Sequence, residues 1–443
     1  MCGIIGIFNK DINASIQVYE GLNHLQHRGQ DSAGICNENI CIKNNGLVKN
    51  IFNELEMETL KSDISIGHVR YATKPFYSKN TIQPLMRENI YICHNGNITN
   101  TKEIESITKI NNESDTGNIL DLFLYTLENR QITYDIIVDI CYKLTKILKG
   151  SYSLIFLIKD FGIFCLRDCN GIRPLIYGKR GNNYIISSES SIIELLEYQT
   201  IRDVYPGELI VFEKTKLPRF HKYENSKLYP CLFEYIYFSR NDSVIDGISV
   251  YESRYKMGIL LGEKIKKMNL NIDIIVPVPD TSIIFALGVN EVLKIPLQNG
   301  FVKNNYIDRT FIMQNDKIIN KNIKRKINGI KHVINDKNIL IIDDSIVRGN
   351  TSSHIIYLAK KIGAKNIYFG SGSPKILYPN YYGIYIPSSE ELIAVNRTNQ
   401  DIADILGVKN VIFNDLHEII NCLKNINPSL DGFETSMFNN IHL

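Results

Sequence analysis

The segment that most constrains this chain is Asn338-Ile339-Leu340-Ile341-Ile342-Asp343-Asp344-Ser345-Ile346-Val347-Arg348-Gly349-Asn350-Thr351-Ser352. It predicts an apolar strand over 338–342 that ends in two acids, then a Gly/Thr/Ser loop that opens a helix over 351–362. Another strand follows over 366–369. Upstream, a helix over 255–267 leads to a strand over 272–277. From about residue 255 onward, this alternation predicts a parallel sheet with helices on both faces. The carboxyl end of a parallel strand is a ligand site. The loop N–H groups and the helix N-terminus favour a phosphate there. The carboxylates suit ribose hydroxyls and Mg²⁺, which keeps waters and borrows substrate oxygens.

Residues 1 to about 225 have a different texture. Strand-like apolar runs lie at 4–7, 153–158, 184–187 and 208–212, with helical patterns at 15–27 and 117–129. Asn170-Gly171 and Pro206-Gly207 mark turns. This half opens with Met1-Cys2-Gly3-Ile4-Ile5-Gly6-Ile7. Removal of Met1 makes Cys2 the mature N-terminus. Its α-amine, with a reference pKa of about 8, then lies beside the thiol. One residue becomes both nucleophile and proton acceptor, directly or through a water.

A length of 443 residues suits two or three domains. A net charge of +3 supplies no global basic field for nucleic acid. No apolar run reaches the roughly 20 residues of a membrane span. The N-terminus lacks the pattern of a signal peptide. Nine cysteines, at 2, 36, 41, 93, 141, 165, 169, 231 and 422, form no framework and no CxxC. They predict reduced thiols and a cytoplasmic protein.

Three segments join Cys2: Leu25-Gln26-His27-Arg28-Gly29-Gln30-Asp31-Ser32-Ala33-Gly34, Gly67-His68-Val69-Arg70-Tyr71-Ala72-Thr73, and His94-Asn95-Gly96-Asn97-Ile98-Thr99-Asn100. The second and third are predicted to follow apolar strands. In order and spacing, residues 2 to about 220 resemble the N-terminal nucleophile glutamine amidotransferases. The resemblance implies that Cys2 attacks the glutamine side-chain amide, and that Asn95 and Gly96 form the oxyanion hole. Arg70, helped by Thr73, would clamp the α-carboxylate of glutamine. Asp115 would take the α-ammonium; on its own it reads as a helix N-cap. Arg28 resembles the family arginine that orders the N-terminal turn, and is counted with the glutamine-binding set. His27, His68 and His94 read as structural, because the α-amine already supplies a base. Gly117 stands where the family usually has an acidic residue.

The 338–352 segment resembles the phosphoribosyl diphosphate (PRPP) loop of type I phosphoribosyltransferases. Val276-Pro277-Val278-Pro279-Asp280-Thr281-Ser282 resembles their diphosphate-side loop. The stretch from Gln298 through Lys303 and Tyr306 to Phe311 resembles the loop that closes over PRPP. The implied PRPP ligands are Asp343, Asp344, Ser345, Arg348, Gly349, Asn350, Thr351, Ser352, Lys303 and Tyr306, with Ser282, Asp343 and Asp344 around one Mg²⁺. Asn350 replaces the usual Thr, and Asn305 the usual Arg. The junction, Pro230-Cys231-Leu232-Phe233-Glu234-Tyr235-Ile236-Tyr237-Phe238-Ser239-Arg240, and the end, Phe433-Glu434-Thr435-Ser436-Met437-Phe438-Asn439, extend the likeness. Essentially the whole chain resembles the amidophosphoribosyltransferases. Asn380 stands where cluster-bearing members have a cysteine, so no iron–sulfur cluster is expected. Tyr385 replaces a common Asp.

These readings predict a two-domain chain of mixed α/β and α+β class. A glutaminase domain of αββα layers over 2–225 is followed by a linker over 226–254. A phosphoribosyltransferase domain with a parallel sheet spans 255–424, and a tail spans 425–443. The implied ligands are glutamine and PRPP, with purine nucleotides as feedback inhibitors, no nucleic acid or membrane partner, and a homotetrameric assembly. Two other readings compete: a PRPP-responsive regulatory protein with a dead glutaminase half, and a sugar-phosphate amidotransferase. Intact Cys2, Arg70, Asn95 and Gly96 oppose the first, and the PRPP loop opposes the second.

Overall fold

The structure, a computed structural model, describes residues 2–10, 13–71, 79–304, 327–384, 386 and 388–443. Thr73, Asn305, Tyr306 and Tyr385 lie outside the described residues.

Two antiparallel sheets stack in the N-terminal half. In the seven-stranded sheet, Gly3–Phe8 lies between Asn183–Ser187 and Ile64–Arg70, with Ser32–Cys36 beyond. In the six-stranded sheet, Ile90–Ile98 lies beside Gly150–Ile158. The inner faces meet through Ile4, Ile66, Cys93, Ile155 and Phe212. Helix Ala14–His24 covers one outer face through Ala14, Val18 and Leu22. Helices Asp115–Leu127 and Tyr134–Ile147 cover the other through Ile119, Phe123 and Ile140. The result is the expected αββα layering. Strand Gly3–Phe8 is buried along its whole length, which is why it reads as a continuous apolar run and not as an alternation.

The C-terminal half holds a four-stranded parallel sheet of Ile274–Pro277, Asn338–Asp343, Asn366–Ser371 and Asn410–Phe413, in that order. Helices Val250–Lys266, Ile283–Leu293 and Leu416–Ile426 pack on one face. Asn350–Ile362 and Asn399–Leu406 pack on the other. The segment between the halves is itself core: Cys231, Leu232, Tyr235, Ile236 and Ile248 are buried.

Three expectations are corrected here. Residues Gly67 to Arg70 and His94 to Ile98 do not follow strands; they are the last parts of strands Ile64–Arg70 and Ile90–Ile98, because both pair with neighbours along their polar stretches. The N-cap of helix Asp115–Leu127 is Ser114, whose hydroxyl accepts from the Gly117 N–H; Asp115 is the first helical residue. The thiols are not all reduced. Cys36 and Cys41 face each other across a tight hairpin, Cα atoms 4.0 Å apart, and are joined as a disulfide.

Candidate active sites

Cys2 stands at the start of the central strand of its sheet. The Gly3↔Val69 register sets Arg70, the last residue of its strand, beside it. The Cys2 nitrogen donates to Asn95 Oδ1 at 3.3 Å. Asn95 is buried, and its Nδ2 has no hydrogen-bond partner among the described residues. A buried amide N–H₂ left open is costly, so it marks a donor set aside for a ligand oxygen. Gly96 follows with φ +153°. A side chain there would collide with the Ser151 carbonyl, so the position requires glycine.

Arg28 lies in the turn Gln26–Arg28 directly behind Cys2. Its Nε donates to the Cys2 carbonyl at 3.0 Å, Nη1 to Glu189 at 2.7 Å and Nη2 to Glu234 at 2.8 Å. All three side chains of this ion-paired group are fully buried. Burial opposes the charge on Arg28, but Glu234 and Glu189 outweigh it and hold the pKa above its usual value. Burial likewise opposes the Glu189 carboxylate, yet His27 and Arg28 hold it well below the usual carboxylate range. Arg28 therefore fits the ordering of the N-terminal turn; its counting among glutamine-binding residues is corrected, because its guanidinium is committed to protein groups.

Arg70 Nη1 donates to the Thr81 carbonyl at 3.0 Å and hydroxyl at 2.6 Å. The Asp115 carboxylate accepts from the Ile98 N–H at 3.2 Å and the Thr116 N–H at 2.8 Å, with His94 Nδ1 at 3.5 Å. His27 bonds Glu189 at 2.7 Å. His68 is fully buried, and desolvation pushes its pKa down to about 3, which keeps it neutral.

The second site is at the carboxyl end of Asn338–Asp343. Asp343 Oδ1 accepts from Ser282 Oγ and from the Asp344 N–H, each at 3.0 Å. Ser345 Oγ donates to Asp344 Oδ1 at 2.7 Å. Burial and then the neighbouring Asp344 charge push the Asp343 carboxyl well above its usual range. Burial pushes Asp344 up to about 6. Gly349 caps helix Asn350–Ile362 in the left-handed region at φ +81°. Asn350, Thr351 and Arg348 are exposed at this helix start, and Ser352 is buried. Lys303 Nζ reaches Asp280 Oδ2 at 2.7 Å, which joins strand Phe301–Lys303 to the diphosphate-side loop. Arg348 pairs with Glu391 at 2.8 Å.

Sequence reasoning missed Glu189, Glu234, Arg173 and Arg254 as parts of these sites. Arg173 donates to the Tyr382 carbonyl at 2.8 Å and lies 3.4 Å from Glu234. Arg254 donates to the Tyr235 and Ser239 carbonyls and has no ion pair among the described residues. Burial pushes its pKa down to about 10, and the charge of Asp344 is the first of those that oppose the shift. One signal was available: Glu234 is a lone acid inside the otherwise apolar run from Cys231 to Phe238.

A nucleophile-bearing αββα half joined to a phosphate-binding parallel-sheet half defines a glutamine-dependent amidotransferase. Residues 68–194 match the family described as glutamine amidotransferase domain. The chain is 41% identical to amidophosphoribosyltransferase of Escherichia coli, with 100% of this chain and 92% of that protein covered. It is 36% identical to the Saccharomyces cerevisiae enzyme, covering 99% and 91%. The solved glutamine PRPP amidotransferase of B. subtilis, complexed with ADP and GMP, superposes with a TM-score of 0.87 at 30% identity, covering 100% and 97%. The chain belongs to the amidophosphoribosyltransferase family.

Proposed function

We infer that the chain carries out the two linked reactions of its family. Ammonia from glutamine is transferred to PRPP, giving 5-phosphoribosylamine, glutamate and diphosphate, the first committed step of de novo purine nucleotide synthesis. The observation that carries this reading is the Asn95 side chain. Its oxygen holds the Cys2 nitrogen, and its buried N–H₂ awaits an acceptor.

Cys2 attacks the glutamine amide carbon, and the α-amine of the mature protein takes the thiol proton. The developing oxyanion is met by Asn95 Nδ2 and the Gly96 N–H. Loss of one such donor typically costs about 3 kcal/mol. Arg70 and Asp115 hold the α-carboxylate and α-ammonium of glutamine, with Thr73 assisting. Collapse expels ammonia and leaves a glutamyl thioester, which water hydrolyses. Ammonia then attacks C1 of PRPP as diphosphate departs. The N–H groups at Gly349–Ser352 cradle the 5′-phosphate, and the carboxylates of Asp343 and Asp344 accept from the ribose hydroxyls. Lys303, which reaches Asp280 in the diphosphate-side loop, serves the diphosphate, and Tyr306 is assigned to PRPP with it. Two desolvated carboxylates and the Ser282 hydroxyl fit a hard divalent cation that completes its shell with water and phosphate oxygens. When bound, Mg²⁺ supplies charge neutralisation to the diphosphate leaving group. An iron–sulfur cluster does not fit. Asn380 stands where a cysteine ligand would be needed and bonds Glu434 and Ser436 instead.

Purine nucleotides are the feedback ligands in this reading, supported by the ADP and GMP in the B. subtilis relative. The compartment is the cytoplasm and the assembly a homotetramer. Among the described residues, no helix is long and apolar enough to cross a membrane. The test is joint measurement of glutamate and diphosphate release with and without PRPP and Mg²⁺. Equimolar release that requires PRPP is expected. Glutamate release with no PRPP-dependent diphosphate would overturn the assignment.

A further inference from the structure

The strand that carries Asn95 and Gly96 does not stand alone. Its next residue, Asn97, pairs with Ser151 on the neighbouring strand. The Ser151 hydroxyl accepts from the Asn97 N–H at 3.3 Å and donates to the Tyr382 carbonyl at 2.9 Å. Asn97 Nδ2 donates to the Tyr381 carbonyl at 2.8 Å. Arg173 Nε donates to the Tyr382 carbonyl as well, at 2.8 Å. Gly383, at φ +98°, lies so close that a Cβ there would come within 3.1 Å of the Gly96 carbonyl. Backbone from the phosphoribosyl half thus lies directly on the oxyanion glycine.

That backbone is held from behind. Asn380 Oδ1 accepts from the Tyr382 and Ile384 N–H groups, and its Nδ2 donates to Glu434 and Ser436. The Tyr382 hydroxyl bonds the backbone of Leu443. The segment begins at the other site. The Gly372 N–H donates to the Asp343 carbonyl and the Ser373 N–H to the Asp344 carbonyl, each at 2.8 Å. One short stretch of chain therefore runs from the acid pair to the oxyanion strand.

We propose that Asn97, Ser151 and Arg173 are positioning residues for the glutaminase reaction. They fasten the oxyanion strand to the Tyr381 and Tyr382 carbonyls, so that the donor geometry at Asn95 and Gly96 is set from both halves of the molecule. The inference rests on the glutaminase reading of Cys2. Misplacement of such a donor by about 1 Å can cost on the order of 100-fold in rate.

The test uses the full-length protein with Asn97→Ala and Ser151→Ala. Glutamine hydrolysis under saturating PRPP should lose about tenfold in kcat, with KM for glutamine within about twofold of wild type. Two controls should not move. Ammonia-dependent diphosphate release bypasses the glutaminase site. Alkylation of Cys2 by iodoacetamide is a displacement at a saturated carbon and develops no oxyanion. Wild-type kcat in Asn97→Ala would overturn the proposal, as would equal losses in hydrolysis, alkylation and ammonia use. If Ser151→Ala loses all three together it has misfolded, and Asn97→Ala, at a half-buried site, decides alone. Absence of hydrolysis in the wild type would instead overturn the glutaminase reading, and this inference with it.

Discussion

Around Cys2, buried charge is matched inside the protein. Arg28 lies between Glu189 and Glu234, Glu234 also meets Arg173, and Glu189 also meets His27. Around Asp343 and Asp344 it is not. The neighbouring Asp344 charge adds to the burial that opposes ionisation of Asp343, which only hydroxyl and N–H donors relieve, whereas Asp344 has in addition the charge of Arg254, with which it makes no direct ion pair among the described residues. Two other cations of this half are engaged elsewhere: Lys303 with Asp280, and Arg348 with Glu391. One half is assembled in advance, with the Asn95 Nδ2 donor held open. The other is a charge vacancy that a divalent cation and an anionic substrate complete. Electrostatic preorganisation suits a reaction whose charge develops in the transition state. An unmatched acid pair suits a substrate that arrives with its own counter-ion.

The sharpest way to break this comparison is to remove the nucleophile. Cys2→Ala should abolish glutamine-dependent synthesis, a loss on the order of 10⁴-fold or more. Ammonia-dependent synthesis should persist at the wild-type rate. Equal loss with saturating ammonia would show that the halves are not separate sites.

Next comes the matched charge itself. Glu189→Gln leaves the buried Arg28 with one carboxylate and should destabilise the protein by about 3 kcal/mol, read as a lowered denaturation midpoint. Loss of a partner from a buried pair is what makes the penalty large. A midpoint within error of wild type would mean that Glu234 suffices.

Asp343→Asn should reverse that outcome. PRPP-dependent turnover should fall about 100-fold with either nitrogen donor, yet the ligand-free protein should gain stability, because a desolvated carboxylate is removed. The pH signs are opposite too. Asp344 has a folded pKa raised to about 6, so its favourable contribution is complete below about pH 4 and is lost as pH rises through 6. Glu189 is depressed, so its contribution is complete above its unfolded pKa of about 4.5 and is lost as pH falls below that. Thermal melts from pH 3 to 8 should show Asp344→Asn flattening the rise-side loss and Glu189→Gln flattening the acid-side loss. The same pH shape in both variants would refute the contrast.

The sequence carried these two halves unequally. The parallel-sheet half was legible because its elements are periodic and local: the apolar run 338–342 became strand Asn338–Asp343, and the helical pattern at 351–362 became Asn350–Ile362. Cys2, Asn95 and Gly96 were legible through their motif. The support behind them was not. Arg28 and Glu234 are 206 residues apart, and no local pattern links a turn arginine to a lone acid in an apolar run. The polar stretches around His68 and Asn95 were placed after the apolar strands because buried strands are expected to be apolar, and here the strands run on through polar residues.

The smallest effects test whether the phosphate cradle is made of backbone. Gly349 is left-handed, and a Cβ there would also press on Ile393 Cδ1 at 2.7 Å. Gly349→Ala should therefore shift the loop and raise KM for PRPP about tenfold, in keeping with a strain of 1–2 kcal/mol, roughly. Asn350 is different. It is exposed at the first position of its helix, so its side chain can change while the N–H groups of the loop stay in place. Asn350→Thr brings a hydroxyl nearer the backbone donors and should lower KM for PRPP by about threefold, worth under about 1 kcal/mol. KM for glutamine should not move in either variant, because neither residue is among the groups that hold the oxyanion strand. A large KM change in Asn350→Thr would mean that the side chain, and not the backbone, carries the phosphate, and that the two halves are built more alike than their charges suggest.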